Sequence, residues 1–512
     1  MKKSYSIFVL LLLCSAHLMA QSGLKKALHS ITSEELYTHV ATLADDAFKG
    51  RDTPSPELDS AAAYVAGEFN AAGLFGPNGQ TYQTFHTLRA RLGDRNTLTL
   101  TKNGIETPFR LKNDFVPLSE TGNDSIQNAP VVFAGFGITA PEYGYDDYAG
   151  IDAKGKIVVI FTGEPQEQDT ASVFAGGRAT DYSKLRVKAE NAIHHGAIGI
   201  ILAGSPHRRF RKPPNYWPSL MRNAPEGGVP LKMEKTTGPR LLAVRVGKKV
   251  PAALFEGCDK TLIELYDAIN TDLKPRSFDL TDVAVSMATT LDTDRYPTHN
   301  VWAYLEGSDP VLKDELVVIG GHYDHVGQRN GEIYNGADDN ASGTSGVIEI
   351  AEAFAMLDVK PKRSMLFMTF TGEEKGLFGS YWYTDHPLVE MEKTAAMFCM
   401  DMISRNDTNA VVIIGDQCSK TLTATCEAAN AEIGMEMTKT SEWFFQSDHY
   451  PFYKKGVPVL FFNSGDTEDL HKPTDDVEKI IPEKMQRIAR LVFLTAYKTA
   501  NAAERPDYID FK

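Results

Sequence analysis

The chain has 512 residues, which a soft prior of roughly 150 residues per domain converts into two to four domains, so a single small module is excluded. Hydrophobic residues at 42%, charged residues at 23%, 40 Gly and 26 Pro form an ordinary globular composition and exclude disorder, collagen and coiled coil. Asp and Glu outnumber Lys and Arg by 67 to 53, and the net charge of −14 opposes the electropositive footprint that nucleic-acid binding needs.

At the start of the chain, Lys2 and Lys3 precede an apolar run from Ile7 to Leu13, and small and polar residues then lead to Ala20 and Gln21. This is the pattern of a secretory signal, residues 1–20, with cleavage expected after Ala20 and the protein exported to a periplasmic or secreted location. The run is far shorter than the about 20 apolar residues of a membrane span, and no later segment reaches that length, so no membrane insertion is expected. Of five cysteines, Cys258, Cys399, Cys418 and Cys426 follow the leader, too few and too irregular for a disulfide scaffold or a thiolate zinc site. A Cys418–Cys426 bridge and free buried thiols are both compatible with an oxidising compartment.

Further along, Ala62, Val65, Phe69 and Ala72 recur at helical spacing and predict an amphipathic helix over Pro56–Leu74. From about residue 120 the chain changes to short β-rich runs, Val131–Phe133 and Ile157–Phe161, between Gly-, Asp- and Tyr-rich turns. A helix over Lys184–Ala192, strands Ile198–Leu202 and Leu241–Val246, and a helix over Asp259–Ile269 complete this region. After about 285, long apolar strands alternate with helices: Leu316–Ile319, helix Ser342–Leu357, Met365–Phe370, Ala396–Met400, Val411–Ile414 and Val459–Phe462. The alternation predicts an α/β fold, a mixed, mostly parallel twisted sheet covered by helices on both faces.

Acidic and imidazole residues fall just past those strands. His322 and Asp324 follow Leu316–Ile319, Glu373 and Glu374 follow Met365–Phe370, and Asp401 follows Ala396–Met400. In open α/β sheets the ligand crevice lies outside the strand C-termini, so distant segments deliver these groups to one pocket. Asp338, Asp339 and Asn340 precede the helix at Ser342, and His471 follows Val459–Phe462. A lone His at a strand end is usually structural, and Glu373-Glu374 alone reads as a solvated turn. Together, however, they form a nitrogen and oxygen donor set suited to zinc. His322, Asp339, Glu374, Asp401 and His471 exceed the three protein ligands usual for one catalytic zinc, which points to two ions sharing a bridging carboxylate and a water.

Gly320-Gly321-His322-Tyr323-Asp324-His325, Asn335 to Gly343, Thr371-Gly372-Glu373-Glu374-Lys375-Gly376, Met400-Asp401-Met402 and Leu470-His471-Lys472-Pro473-Thr474-Asp475-Asp476 resemble, in order and spacing, the signatures of the co-catalytic zinc exopeptidases, the twenty-eighth metallopeptidase family. The stretch Val131–Pro165, with Gly135-Phe136-Gly137-Ile138 and Tyr143 to Tyr148, resembles the protease-associated domain often inserted in exported members. The resemblance implies a catalytic domain over 21–118 and 285–505 with a protease-associated domain over 119–284. It implies two zinc ions per chain, His322 and Asp401 on one, Glu374 and His471 on the other, and Asp339 bridging. Glu373 is the implied general base, and Asp324 the partner fixing the tautomer of His322. Relatives often carry a cis peptide after the bridging Asp, so Asp339–Asn340 is expected to be cis. His325 and Asp338 stay outside the ligand set. His449 resembles a residue near the substrate pocket and is a candidate oxyanion donor or a structural His, since Leu470 stands where some relatives have a Tyr for that task. The expected function is an exported aminopeptidase acting on peptides, with a carboxypeptidase or dipeptidase of the same family, or a single-zinc glutaminyl cyclase, as alternatives.

Overall fold

The computed structural model describes residues 22–118, 121–174, 179–207, 231–234 and 241–511; the leader reading at residues 1–20 lies outside them. The chain forms two units, one comprising residues up to Thr87 and from Tyr296 onward, the other Leu88–Arg295.

In the first unit, consecutive neighbours in the main sheet are the strands Leu291–Leu305, Ser364–Phe370, Leu316–His322, Thr394–Met400, Val459–Asn463, Ala410–Ile414 and Glu436–Thr440. Ser364–Phe370, Leu316–His322, Thr394–Met400 and Val459–Asn463 run parallel. Leu291–Leu305 and Ala410–Ile414 join this block antiparallel on its two sides. The central strands are apolar without interruption because both faces are covered. Val317, Ile319, Phe367, Ala396 and Phe398 enter one core, while the alternate residues Leu316, Val318, Leu366, Met397 and Cys399 enter another. Helices Ser33–Leu43, Pro56–Ala71, Gly343–Ala355, Lys420–Ile433 and Pro482–Asn501 supply the first core. Phe378–Asp385 and His449–Tyr453 pack Tyr383 and Phe452 into the second. The expected α/β architecture is thus present.

Helix Pro56–Ala71 starts where the Ser55 hydroxyl accepts from the Leu58 amide with Pro56 at the first position, and it stops before the predicted Leu74 because Gly73 turns left-handed at φ +75°. Among the described residues no helix is long and apolar enough to cross a membrane. Cys418 and Cys426 are buried and unpaired, the free-thiol alternative of the sequence reading.

The second unit holds a sheet in the order Ile105–Phe109, Thr97–Lys102, Phe278–Thr289, Asp124–Phe133, Ile157–Phe161, Gly199–Ala203, Leu242–Val246, Phe115–Pro117. Its limits, Leu88 and Arg295, differ from the expected 119 and 284. The reason is pairing: Thr97–Lys102 hydrogen-bonds along Phe278–Thr289, so segments on both sides of the expected insert are stitched into the second sheet. Helix Leu262–Asp272 opens with a capping box in which Thr261 and Glu264 exchange hydrogen bonds, three residues later than the Asp259 start read from periodicity. The Gly135–Ile138 turn closes over a buried carboxylate, with Asp147 Oδ2 accepting from the amides of Phe136 (2.9 Å) and Ile138 (3.1 Å).

Candidate metal centre

The four parallel strands end on one edge of the sheet, and their C-termini carry the acidic and imidazole groups. His322 is the last residue of Leu316–His322, Asp401 follows Thr394–Met400, and Glu373 and Glu374 follow Ser364–Phe370 by a tight turn. Asp339 lies in the turn Ala337–Ser342 that feeds helix Gly343–Ala355, and the Asp339–Asn340 bond is cis, as expected. His471 sits in the loop after Val459–Asn463 with φ +52°. Gly336 lets this turn close: a Cβ there would collide with the Asp339 carbonyl and the His325 ring.

His322 Nε2 lies 3.3 Å from Asp401 Oδ1, 3.4 Å from Asp339 Oδ1 and 3.9 Å from Glu373 Oε2. On the other side of Asp339, His471 Nε2 is 3.1 Å from Asp339 Oδ2 and 3.1 Å from Glu374 Oε2. Asp339 therefore faces His322 with Oδ1 and His471 with Oδ2. His325 joins the second cluster, with Nδ1 2.8 Å from Glu374 Oε1 and 3.6 Å from Asp339 Oδ2. The residues fit divalent cations: His322 Nε2, both ring nitrogens of His325, Glu374 Oε1 and Asp401 Oδ1 are buried and make no hydrogen bond. Ligand-capable atoms of His322, Glu373 and Asp401 form one compact group, and those of His325, Asp339 and Glu374 another.

These groups are held from behind. Arg51, fully buried, donates from Nε to Tyr323 O (2.8 Å) and through its terminal nitrogens to Asn335 O (2.7 Å), Gly336 O (3.0 Å) and Leu43 O. It thereby ties the His322–His325 loop to the turn leading into Asp339. Asp475 accepts from the amides of Asp338 and Asp339, both at 3.0 Å. The Ser447 hydroxyl donates to Asp401 Oδ2 (2.9 Å), and the Asp338 carboxylate is taken up by Ser404.

Electrostatics follow from this crowding. Burial alone would lower the His322 pKa, but Asp401, Glu373 and Asp339 outweigh it and hold the imidazole well above its ordinary value. Burial, opposed by His322 and reinforced by Asp401 and Asp448, raises Glu373 well above the usual carboxylate range. For Glu374 burial also pushes upward, yet the adjacent imidazoles of His325 and His471 prevail and depress it strongly. Burial draws His449 down to about 3, which leaves a neutral imidazole at neutral pH.

The structure brings His322, Asp339, Glu373, Glu374, Asp401 and His471 together, and it revises Asp324. Nδ1 of His322 meets the Asp324 backbone carbonyl at 3.1 Å, whereas the Asp324 carboxylate is 3.7 Å away. That carboxylate instead accepts from the Glu373 amide (3.1 Å) and the Thr53 hydroxyl (3.2 Å), so the peptide carbonyl orients His322 and the side chain fixes the Glu373 turn. His449 is fully buried between Phe444 and Phe461, and neither ring nitrogen has a hydrogen-bond partner of ordinary geometry. The sequence reading set His325 aside although it closes the first motif, and it missed Arg51, Thr53 and Asp448. Asp448 is buried beside the centre, with Oδ1 accepting from Ser380 at 2.5 Å. Arg51 and Thr53 belong to no local pattern that would single them out, whereas Asp448 stands next to His449 in the segment Ser447 to Phe452 that resembles the family, where only His449 was given a role.

Residues 300–496 match the model of Peptidase family M28. Aminopeptidase YwaD of Bacillus subtilis (strain 168) is 30% identical over 205 residues, covering 38% of this chain and 43% of that protein. A probable leucine aminopeptidase of Trichophyton verrucosum (strain HKI 0517) is 29% identical over 204 residues, 38% of this chain and 56% of that one. The chain thus spans about half the length of the curated relatives it matches. Among solved structures, an aminopeptidase from Aneurinibacillus sp. strain AM-1 is alike in fold over 94% of this chain and 96% of its own, with a TM-score of 0.50 and 22% identity. The region 300–496 that matches this family model carries every candidate ligand of the centre on one edge of the sheet.

Proposed function

We propose that this chain is an exported aminopeptidase that hydrolyses the N-terminal residue from peptides with two zinc ions. The observation that carries the reading is the convergence of His322, His471 and the carboxylates of Asp339, Glu374 and Asp401 on one edge of the sheet, with buried lone pairs that no hydrogen bond uses. In this reading His322 and Asp401 hold one ion, Glu374 and His471 the other, and Asp339 lies between. His325 supports Glu374. Zinc bound there would supply Lewis acidity, polarising the scissile carbonyl and lowering the pKa of water.

The chain's own groups do the rest. Glu373 sits beside His322, and its elevated proton affinity suits a base that takes the proton of water and passes it to the departing amine. Asp324 holds the Glu373 amide and so aims this turn. His449, neutral at working pH, is the reading's donor to the carbonyl oxygen as it gains charge. The leader at residues 1–20 supports export, and the Gly135–Ile138 and Tyr143–Tyr148 signatures support a protease-associated role for the insert.

The test uses aminoacyl and N-acetylaminoacyl 4-nitroanilides together with short peptides blocked at either end. Cleavage of free amino termini only, abolished by a chelator and restored by zinc, is the expected result. Cleavage confined to N-blocked peptides with free C-termini would make the protein a carboxypeptidase. Cyclisation of N-terminal Gln with one zinc per chain would make it a cyclase.

A further inference from the structure

A second cluster of potential ligands lies on three helices, and none of its members belongs to the centre described above. His39 on Ser33–Leu43 and the carboxylates of Glu68 on Pro56–Ala71 and Glu352 on Gly343–Ala355 bring one ligand-capable atom each within 4.8 Å of one another. Glu349 lies one turn before Glu352 on the same face of its helix and directs Oε1 at His39 Nε2, 3.4 Å away. Its side chain is only 2% exposed, and Oε1 accepts no hydrogen bond.

The charges do not balance. Glu352 is pressed by burial and by the carboxylates of Glu349, Glu68 and Glu35, against the one imidazole of His39, and its pKa is pushed up to about 7. Among the described residues no lysine or arginine pairs with Glu68, Glu349 or Glu352. Carboxylates that converge in a half-buried site stay together when a cation binds between them. The histidine is already oriented for that purpose. Its Nδ1 lies 2.6 Å from the Tyr64 hydroxyl, which leaves Nε2, facing Glu349, for an ion. Such a partner on the far nitrogen is the usual companion of a ligating imidazole. Tyr64 sits one turn before Glu68 on the same helix, so one helix face provides both the orienting group and a ligand.

We propose that His39, Glu68, Glu349 and Glu352 form a further divalent-cation site, of one nitrogen and several oxygens, that takes zinc and clamps the three helices together. One of those helices, Gly343–Ala355, begins just after the Asp339 turn, so the clamp steadies the scaffold behind the centre without entering its chemistry.

The full chain is equilibrated with zinc chloride, passed through gel filtration, and examined by elemental analysis and by anomalous scattering at the zinc edge. Wild type should show an anomalous peak among His39, Glu68 and Glu352, and His39→Gln should lack it and carry one zinc fewer per chain. Glu352→Gln, at a position less buried than His39, repeats the test should the histidine variant not fold. Both variants should keep wild-type turnover of the substrate cleaved by the parent. Anomalous density at His322, Asp339 and Glu374 alone, or equal zinc content in wild type and both variants, overturns the proposal and leaves the reading of the centre standing. A peak at the helices with none at the centre would sustain this site and refute that reading.

Discussion

Arg51→Met removes a buried guanidinium whose hydrogen bonds all run to main-chain carbonyls, those of Leu43, Tyr323, Asn335 and Gly336. Methionine fills much of the volume but offers no donor, so the carbonyls of Leu43, Tyr323 and Asn335 lose their partner in a site that excludes water, while Gly336 O keeps the Ala341 amide at 3.2 Å. A buried polar group left unsatisfied costs about 1–3 kcal/mol, so three at the lower limit come to roughly 3 kcal/mol. Part is recovered, because burial of the charge is itself unfavourable: it draws the Arg51 pKa down to about 10. The expected net loss is about 2–3 kcal/mol, at the upper end of the usual range for a single substitution. Urea unfolding followed by tryptophan fluorescence reports it, since Trp302, Trp382 and Trp443 all lie in the first unit. Arg51→Lys should recover little, because one ammonium cannot span the separate segments that the planar fork joins. A loss below about 1 kcal/mol for Arg51→Met would refute the view that this side chain holds the ligand loops together.

Glu373→Gln should lower kcat by about 10²–10⁴-fold while zinc content stays at the wild-type level; equal turnover in steady-state assays would remove Glu373 from proton transfer. Asp475→Ala frees the amides of Asp338 and Asp339 and should weaken metal affinity by about 10–100-fold, as loss of groups behind the ligands does, which competition with a chelating dye would measure.

The relation of sequence to structure differs from element to element. Leu316–His322 and Ser364–Phe370 were legible because unbroken apolar runs are what a sheet covered on both faces requires. Acids and imidazoles placed just beyond such runs could only fall at strand ends, so His322, Glu373, Glu374 and Asp401 were legible too. Helices Ser33–Leu43 and Pro482–Asn501 went unnoticed although their buried faces supply much of one core. Thr97–Lys102 lies within the expected catalytic segment 21–118 yet pairs with Phe278–Thr289 in the second sheet, since a period-2 strand carries no mark of which sheet it joins.

By itself, the order of residues determined the strand and helix alternation, the donor types, and the edge of the sheet on which they gather. These follow from periodicity and from spacing within a few residues, which are properties of the local chain. Tertiary structure alone decided that Arg51 reaches across 272 residues to the carbonyl of Tyr323, and that a peptide oxygen rather than the Asp324 carboxylate orients His322. It alone brought His39 to Glu349 and Glu352 from a helix far away in the chain. Such pairings depend on how elements pack, and packing is chosen by burial and hydrogen bonding summed over the whole unit, which no short stretch of sequence encodes.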